Sequence, residues 1–289
     1  MNNLFKRTVV ACCVVLLLIS LVNCSGNNCR AAKSYILVLY AFDAEGEALK
    51  DKMVIDTIED YLGREVYLGQ LSGKDIILAE SGVGMNNAAM TTQKMIDLYH
   101  PSAVILSGIA GAIDSSVHIG DIVVPDRWFE HDYGYVGSEG FVHNGIEVYS
   151  PETNSVGRLV EFDVDSLLFA SAVEMQFDES RLGKIGERSP QLVIGGVGTS
   201  GNAFIDSKPK RLWLTENFGA LTVDMESQAV VQVCLVNDIP CLIFRSASDL
   251  AGGSGSETAR VEIEQFFKLA AENSSKVVME YLQHVRVMK

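Results

Sequence analysis

The chain has 289 residues, of which 48% are hydrophobic and 21% are charged, and its formal net charge at pH 7 is −14. This composition excludes a disordered polypeptide and is sufficient for one large hydrophobic core. Because no long basic stretch offsets the acidic balance, the sequence also argues against a nucleic acid as partner.

The first 23 residues have the pattern of an export signal. Lys6 and Arg7 precede an uncharged run from Thr8 to Asn23 that falls short of the ~20 apolar residues of a comfortable membrane span. Cys24 follows where a bacterial lipoprotein carries its lipidated cysteine. We therefore expect an exported protein, either a lipoprotein anchored through Cys24 or a protein released into the periplasm or the medium. A retained signal anchor is a further alternative.

Residues 24–33 are small and polar, as in a short tether, and residues 34–289 form a single predicted domain. Within it, short aliphatic runs alternate with stretches of helical periodicity, which indicates an α/β fold with a mainly parallel or mixed sheet. The predicted strands are Tyr35–Tyr40, Asp75–Ala79, Ala103–Ser107, Asp121–Val124, Leu192–Val197, Ala220–Val223 and Pro240–Ser246. The predicted helices are Glu45–Tyr61, Met85–Tyr99, Asp163–Met175, Lys208–Phe218, Met225–Asn237 and Val261–Gln283, and Trp128–Gly157 is predicted as a long loop.

The sequence gives no sign of a metal or a cofactor. Cys234 and Cys241 lie among aliphatic neighbours, where buried thiols are expected. No CxxC pair, no Cys/His cluster and no Ser-His-Asp arrangement has the spacing that such sites need. We therefore expect chemistry that uses protein side chains alone.

Polar side chains follow several of the predicted strands, where ligands bind in open α/β sheets. Glu45 follows the first strand and could position a water molecule, although acidic residues are also common in a helix's first turn. Asp224 and Glu226 follow a later strand, and a carboxylate there can accept two hydrogen bonds from a vicinal diol such as that of ribose. Phe204 lies in the segment that follows a predicted strand, where it could stack on a base.

The last predicted strand ends with a cation, two hydroxyls and an acid, from Arg245 to Asp249. Taken alone, Arg245 and Asp249 could be an ordinary salt bridge. Polar residues that directly follow three separate strands of one rigid sheet instead favour a ligand site.

These segments resemble those of 5′-methylthioadenosine/S-adenosylhomocysteine nucleosidases in the nucleoside phosphorylase superfamily, and most closely the plant bark-storage and vegetative-storage protein branch. The resemblance extends from about Tyr35 to the final helix. It implies a three-layer sandwich with a central twisted mixed sheet flanked by helices. The matching strings are Ser107-Gly108-Ile109-Ala110-Gly111, Gly120-Asp121-Ile122, Gly198-Thr199-Ser200, Met225-Glu226-Ser227 and Phe244-Arg245-Ser246-Ala247-Ser248-Asp249.

The resemblance also implies a role for each site residue. Asp249, helped by Ser248, would protonate the purine at N7, and Glu45 would help to position the attacking water. Ser81 and Arg245 would line the place of the nucleophile. The remaining matches bind substrate: Glu226 and Asp224 at the ribose hydroxyls, Met225 beneath the sugar, Phe204 against the purine and Ile205 at the base edge. Asp224 stands where many relatives carry glutamate, and Leu250–Arg260 is longer and richer in glycine and serine than in compact nucleosidases.

Three functions remain open from the sequence. Hydrolysis of a purine nucleoside such as 5′-methylthioadenosine or S-adenosylhomocysteine is favoured, because the loop after the first strand carries acids and no arginine that would bind phosphate. A phosphate-dependent phosphorylase and a non-catalytic nucleoside-binding or storage protein are the alternatives. Since relatives are usually homodimers or larger assemblies, we also expect a homo-oligomer.

Overall fold

The strands and helices described here come from a computed structural model, which covers residues 33–61, 63–255 and 258–286. The predicted export signal, Cys24 and all of the tether except Lys33 lie outside these ranges, and the domain boundaries proposed there stay predictions. The helices are α1 (Asp43–Lys52), α2 (Met85–Tyr99), α3 (Ser166–Glu174), α4 (Lys208–Phe218), α5 (Ser227–Val236) and α6 (Ala259–His284).

Sixteen strands are found in the described part of the chain, and most of them join one sheet. The first eight are β1 (Ile36–Tyr40), β2 (Val54–Tyr61), β3 (Arg64–Leu71), β4 (Lys74–Glu80), β5 (Ala103–Ala112), β6 (Ile122–Val124), β7 (Arg127–Glu130) and β8 (Gly134–Gly137). The others are β9 (Gly140–His143), β10 (Ile146–Ser150), β11 (Ser155–Leu159), β12 (Phe162–Asp163), β13 (Leu192–Ile194), β14 (Val197–Ser200), β15 (Ala220–Asp224) and β16 (Cys241–Asp249).

A twelve-stranded mixed sheet organises the molecule, in the order β12-β7-β14-β15-β5-β1-β4-β3-β2, with β16 paired to β5 and β6, and β13 paired to β6. Strand β1 runs parallel to β4 and β5, β16 runs parallel to β5, and β15 runs antiparallel to β5. The α/β fold with a central mixed sheet flanked by helices is therefore confirmed.

The centre of the sheet is buried on both faces, as its continuous apolar sequence predicts. Every residue of β1, β5 and β16 is buried. Helix α6 packs on β16 and β5, with Tyr281 of α6 in ring contact with Phe244 of β16, and α1 packs on α6. Within the described ranges, no helix combines the length and the apolar character required to cross a bilayer.

Three predictions of local structure were wrong. The strand predicted as Leu192–Val197 is divided at Gly195 and Gly196 into β13, which pairs with β6, and β14, which pairs with β7 and β15. The segment predicted as one helix from Glu45 to Tyr61 is α1 followed by β2, and β2 is an exposed edge strand paired antiparallel with β3. The predicted loop Trp128–Gly157 contains most of β7, the β8–β9 hairpin, and β10 paired with β11. Most side chains of β2 and of β8 to β11 are exposed or half-buried, so hydrophobic periodicity there carries little information.

Candidate functional site

A cavity opens where the central strands end. It has a volume of about 200 Å³ and is open to solvent on one side. Its walls combine apolar side chains with four carboxylates. They are Ala41, Phe42, Glu45, Val83, Ile109, Ala110, Gly111, Ala203, Phe204, Ile205, Val223, Asp224, Met225, Glu226, Ser248, Asp249 and Ile263.

Beneath the cavity floor, the fully buried Arg245 of β16 joins three of these carboxylates. Its guanidinium lies 2.7 Å from Asp224 (Nε to Oδ2), 3.1 Å from Glu226 (Nη2 to Oε2) and 3.6 Å from Glu45 (Nη1 to Oε1). Burial alone would lower the pKa of Arg245, but the three acids raise it and keep the side chain charged. One cation thus holds together three carboxylates from two separate segments of the chain, the start of α1 and the junction between β15 and α5.

Glu45 is fixed by backbone donors as well as by Arg245. The N–H of Ala41 donates to Oε2 at 2.6 Å and the N–H of Ile109 donates to Oε1 at 2.7 Å. Burial raises the pKa of Glu45, although Arg245 and the two backbone donors oppose this effect. Gly108 makes the arrangement possible, because a Cβ there would come within 2.1 Å of the Arg245 guanidinium and 2.5 Å of Glu45 Oε1.

Glu226 and Asp224 differ in how much of each carboxylate is free. Glu226 accepts one hydrogen bond from Gly84 N–H at 2.7 Å and one from Arg245, and burial raises its pKa to about 7. Asp224 accepts hydrogen bonds from the hydroxyls of Ser200 and Ser227 and from two backbone N–H groups at the start of α5. Asp224 is therefore occupied with positioning Arg245 and α5, and Glu226 is the better candidate for contact with a ligand.

Asp249 stands at the end of β16, where the strand contains one extra residue. Ala247 is paired with Ala110 and Asp249 with Gly111, so Ser248 has no partner on β5 and forms a β-bulge. This bulge lets Ser248 and Asp249 both line the cavity, whereas consecutive strand residues normally point to opposite faces.

The Asp249 carboxyl is buried and suited to hold a proton. It accepts hydrogen bonds from Ala251 N–H and from the Ser248 hydroxyl, both at 2.9 Å. Burial nevertheless raises the pKa of Asp249 to about 6, because these two donors do not offset the loss of solvent. Such a group can release a proton near neutral pH.

The opposite wall carries the aromatic and aliphatic side chains predicted from the sequence. Phe204, Ile205 and Met225 all line the cavity, and Phe204 remains 47% exposed. Just before Phe204, the Asn202 side chain accepts a hydrogen bond from Met85 N–H at the start of α2. The aromatic thus sits at an open mouth on an anchored loop.

Two sequence predictions do not match this geometry. Ser81 is fully buried outside the lining, and its hydroxyl donates to the neighbouring Gly82 carbonyl, so it does not line a nucleophile site here. Arg245 is also absent from the lining, since the carboxylates shield it.

Other site residues had no sequence signal of their own. They are the backbone donors Ile109 and Gly84, the hydroxyl of Ser227 and the apolar walls Phe42, Val83 and Ile263. The direction of a backbone N–H depends on the folded turn, so the donor role of Gly84 does not follow from its sequence.

Sequence comparison supplies the family. The model of the phosphorylase superfamily matches residues 35–283. The 5′-methylthioadenosine/S-adenosylhomocysteine nucleosidase of Staphylococcus saprophyticus is 31% identical over 243 residues, which cover 83% of this chain and 96% of the relative. The nucleosidase of the same name from Bacillus thuringiensis strain Al Hakam is 30% identical over 87% of this chain and 99% of its own length.

Solved structures agree with this placement. The Neisseria meningitidis 5′-methylthioadenosine/S-adenosylhomocysteine nucleosidase in complex with methylthio-immucillin-A has a TM-score of 0.70 and 27% identity, covering 87% of this chain and 100% of that one. Futalosine hydrolase of Helicobacter pylori strain 26695 has a TM-score of 0.70 and 26% identity, covering 87% and 98%. With the family model spanning nearly all of the domain, the chain belongs to the phosphorylase superfamily.

Proposed function

We propose that this protein is a purine nucleosidase that hydrolyses the N-glycosidic bond of 5′-methylthioadenosine, S-adenosylhomocysteine or both, and releases adenine. The observation that carries the proposal is that Asp249, Glu226 and Glu45 face one cavity together with an aromatic wall. The names of the relatives described above are consistent with this activity.

Asp249 serves as the general acid. Its raised pKa, about 6, leaves a fraction of the carboxyl protonated at neutral pH, and that proton passes to N7 of the purine as the bond to the sugar breaks. Ser248, which donates to Asp249 Oδ2, fixes the orientation of the carboxyl. Phe204 and Ile205 hold the base against this acid.

The two glutamates act on the sugar and the water. Glu226 accepts hydrogen bonds from the ribose hydroxyls, and its charge stabilises the cationic character that the sugar acquires as the base departs. Glu45 accepts a proton from the water that attacks the anomeric carbon. Met225 packs beneath the sugar, and the apolar side chains Phe42, Val83 and Ile263 provide a surface for an apolar 5′ substituent.

The charge of the cavity favours water over phosphate as the nucleophile. Of the described residues that line it, four are carboxylates and none is lysine, arginine or histidine. The nearby Arg245 is already shared by three acids. A phosphate dianion would therefore meet net repulsion, whereas water would find acceptors. This supports hydrolysis over phosphorolysis.

Product analysis tests the proposal. The purified domain is incubated with 5′-methylthioadenosine, S-adenosylhomocysteine, adenosine and futalosine, each with and without phosphate, and the base and sugar products are separated by chromatography. From 5′-methylthioadenosine, S-adenosylhomocysteine or both, we expect adenine and a free 5-substituted ribose at the same rate in both buffers. A ribose 1-phosphate product would instead identify a phosphorylase, and binding without any product would identify a nucleoside-binding or storage protein of the kind found in the plant branch.

Export and assembly belong to the same proposal. The Lys6–Cys24 segment supports export with lipidation of Cys24, and metabolic labelling with a fatty acid tests it: we expect label in the intact protein and none in Cys24→Ser.

Exposed apolar side chains on α2, Met90 at 64% and Leu98 at 48%, support a homo-oligomer. Light scattering after gel filtration of the domain checks this, and a monomer would refute it.

A further inference from the structure

The segment that follows the proposed acid is bound to the loop that carries Phe204 and Ile205. Leu250, directly after Asp249, donates its N–H to Glu262 Oε2 at 2.8 Å. At the other end of the segment, Ala259 N–H donates to Asp206 Oδ1 at 2.9 Å, and Asp206 directly follows Ile205. The carboxylates of Glu262 and Asp206 thus accept hydrogen bonds from the backbone at Leu250 and at Ala259.

Backbone contacts add to these side-chain bonds. Ser207 N–H donates to the Ala251 carbonyl at 3.3 Å. Gly252, with φ of +80°, lies so close to the 206–208 backbone that a Cβ would come within 2.6 Å of Ser207 N. The close approach requires glycine, which accounts for at least part of the glycine-rich character of this segment.

Glu262 is placed for this task at the start of α6. It is buried, lies in the first helical turn, where the helix dipole favours an acid, and is followed by Ile263, which lines the cavity. Its hydrogen bond to Leu250 ties α6 to the residue next to Asp249. A displacement of α6 would therefore move a cavity wall and the acid together.

We propose that Glu262 and Asp206 are positioning residues that act as a pair and hold the acid and the base-binding loop in a fixed mutual placement. The effect of this pair on catalysis rests on the proposed function, whereas the coupling between the two segments does not. Neither carboxylate lines the cavity, so neither has a direct role in contact with substrate.

Glu262 has an electrostatic consequence as well. After burial, which is the largest cause of the raised pKa of Asp249, two carboxylates from other elements raise it further: Glu262 from α6 and Asp206 from the loop before α4. The Ser248 hydroxyl and Ala251 N–H act in the opposite direction. Removing the charge of Glu262 therefore lowers the pKa of Asp249, and the acid loses its proton at lower pH.

Hydrogen exchange measured by mass spectrometry tests the structural part without any substrate. In Glu262→Ala we expect at least tenfold faster exchange in peptides that cover 250–255 and also in peptides that cover 204–207. Glu264→Ala is the matched control, because its side chain on the same helix is 72% exposed, and it should change neither. Faster exchange in 250–255 alone would overturn the coupling between the two segments.

Kinetics with 5′-methylthioadenosine test the catalytic part. We expect Glu262→Ala and Asp206→Ala each to lower kcat/KM about tenfold, and the double variant to lose far less than a hundredfold, because either change frees the same connection. Glu262→Gln keeps an acceptor for Leu250, so its activity at low pH should persist while the alkaline fall in kcat/KM moves to lower pH. The paired role would be refuted if the loss of kcat/KM in the double variant equalled the product of the two single losses, or if the pH profile of Glu262→Gln did not move. Failure of the wild-type protein to release adenine would refute the proposed function and leave the exchange result to decide the coupling.

Discussion

Replacement of Asp249 by asparagine should reduce activity and raise stability at the same time. The amide keeps the size of the carboxyl, and its oxygen can still accept from Ala251 N–H, while the Ser248 hydroxyl can turn to accept from the new NH₂ group. The fold therefore has no reason to change. What is lost is the proton donor, for which general-acid catalysis gives a decrease in kcat of about 10²–10⁴-fold.

The gain in stability follows from the raised pKa. Burial lifts the pKa of Asp249 from the usual 3.8 to about 6, so the folded protein binds the proton more tightly than the unfolded chain does. Stability therefore falls as the pH rises from about 4 to 6, and above this range the ionised carboxylate costs on the order of 3 kcal/mol. Asparagine carries no charge to desolvate, so at pH 7.5 the variant should unfold about 5–10 °C higher than the wild type. Near pH 4 the two should unfold at similar temperatures.

Two assays on the same preparations check this prediction. Adenine release is followed by chromatography from pH 5 to 9, and thermal unfolding is followed by circular dichroism over pH 4 to 8. Asp97→Asn on the exposed surface of α2 is the matched control, and it should alter neither quantity. An Asp249→Asn variant that is inactive and also less stable at pH 7.5 would show that the carboxylate is structural, which contradicts the reasoning.

Three further substitutions probe the rest of the site. Gly108→Ala should lower the free energy of unfolding by about 1–3 kcal/mol and abolish most activity, because its Cβ would meet Arg245 and Glu45, whereas Gly157→Ala, with open space around it, should unfold in urea like the wild type. Arg245→Met should cost about 3–5 kcal/mol at pH 7.5, and less near pH 5, since it leaves buried carboxylates without their cation; chemical unfolding at both pH values measures the difference. Phe204→Ala should raise KM by about tenfold without lowering the melting temperature, because the ring is 47% exposed and contributes stacking rather than core packing; an unchanged KM would exclude it from the base site.

The buried strands were the part of the fold that the sequence predicted best. Aliphatic runs predict strands at Ala103–Ser107 and Pro240–Ser246, but β5 and β16 continue to Ala112 and Asp249 through small and polar residues. Those extensions are buried because the sheet and α6 cover them, a tertiary effect that local periodicity does not contain.

The β2–β3 hairpin was missed for a different reason. In β2, Val54, Ile55 and Ile58 have the spacing of a helical face, and all three are exposed in the described chain. Because neither face of β2 is buried, its sequence lacks the alternation of apolar and polar residues that marks a strand. The predicted helix therefore extends through β2 to Tyr61.

At the site, side chains at strand ends could be predicted, whereas their partners could not. Asp249, Glu226 and Glu45 each follow a predicted strand, and they line one cavity. The backbone N–H groups that hold Glu45 and Glu226, and the direction of the Ser81 hydroxyl, depend on turns whose geometry is set only after the sheet forms.

The extra residue at Ser248 has a consequence for how this site can change. Because Ser248 is the unpaired residue of the bulge, its deletion would restore a regular strand in which Asp249 keeps its pairing with Gly111 but loses the hydroxyl that donates to its carboxyl. A shortened strand would thus retain the carboxylate while changing the group that orients it. Strand length, rather than residue identity alone, is therefore what a comparison of active and inactive relatives should examine.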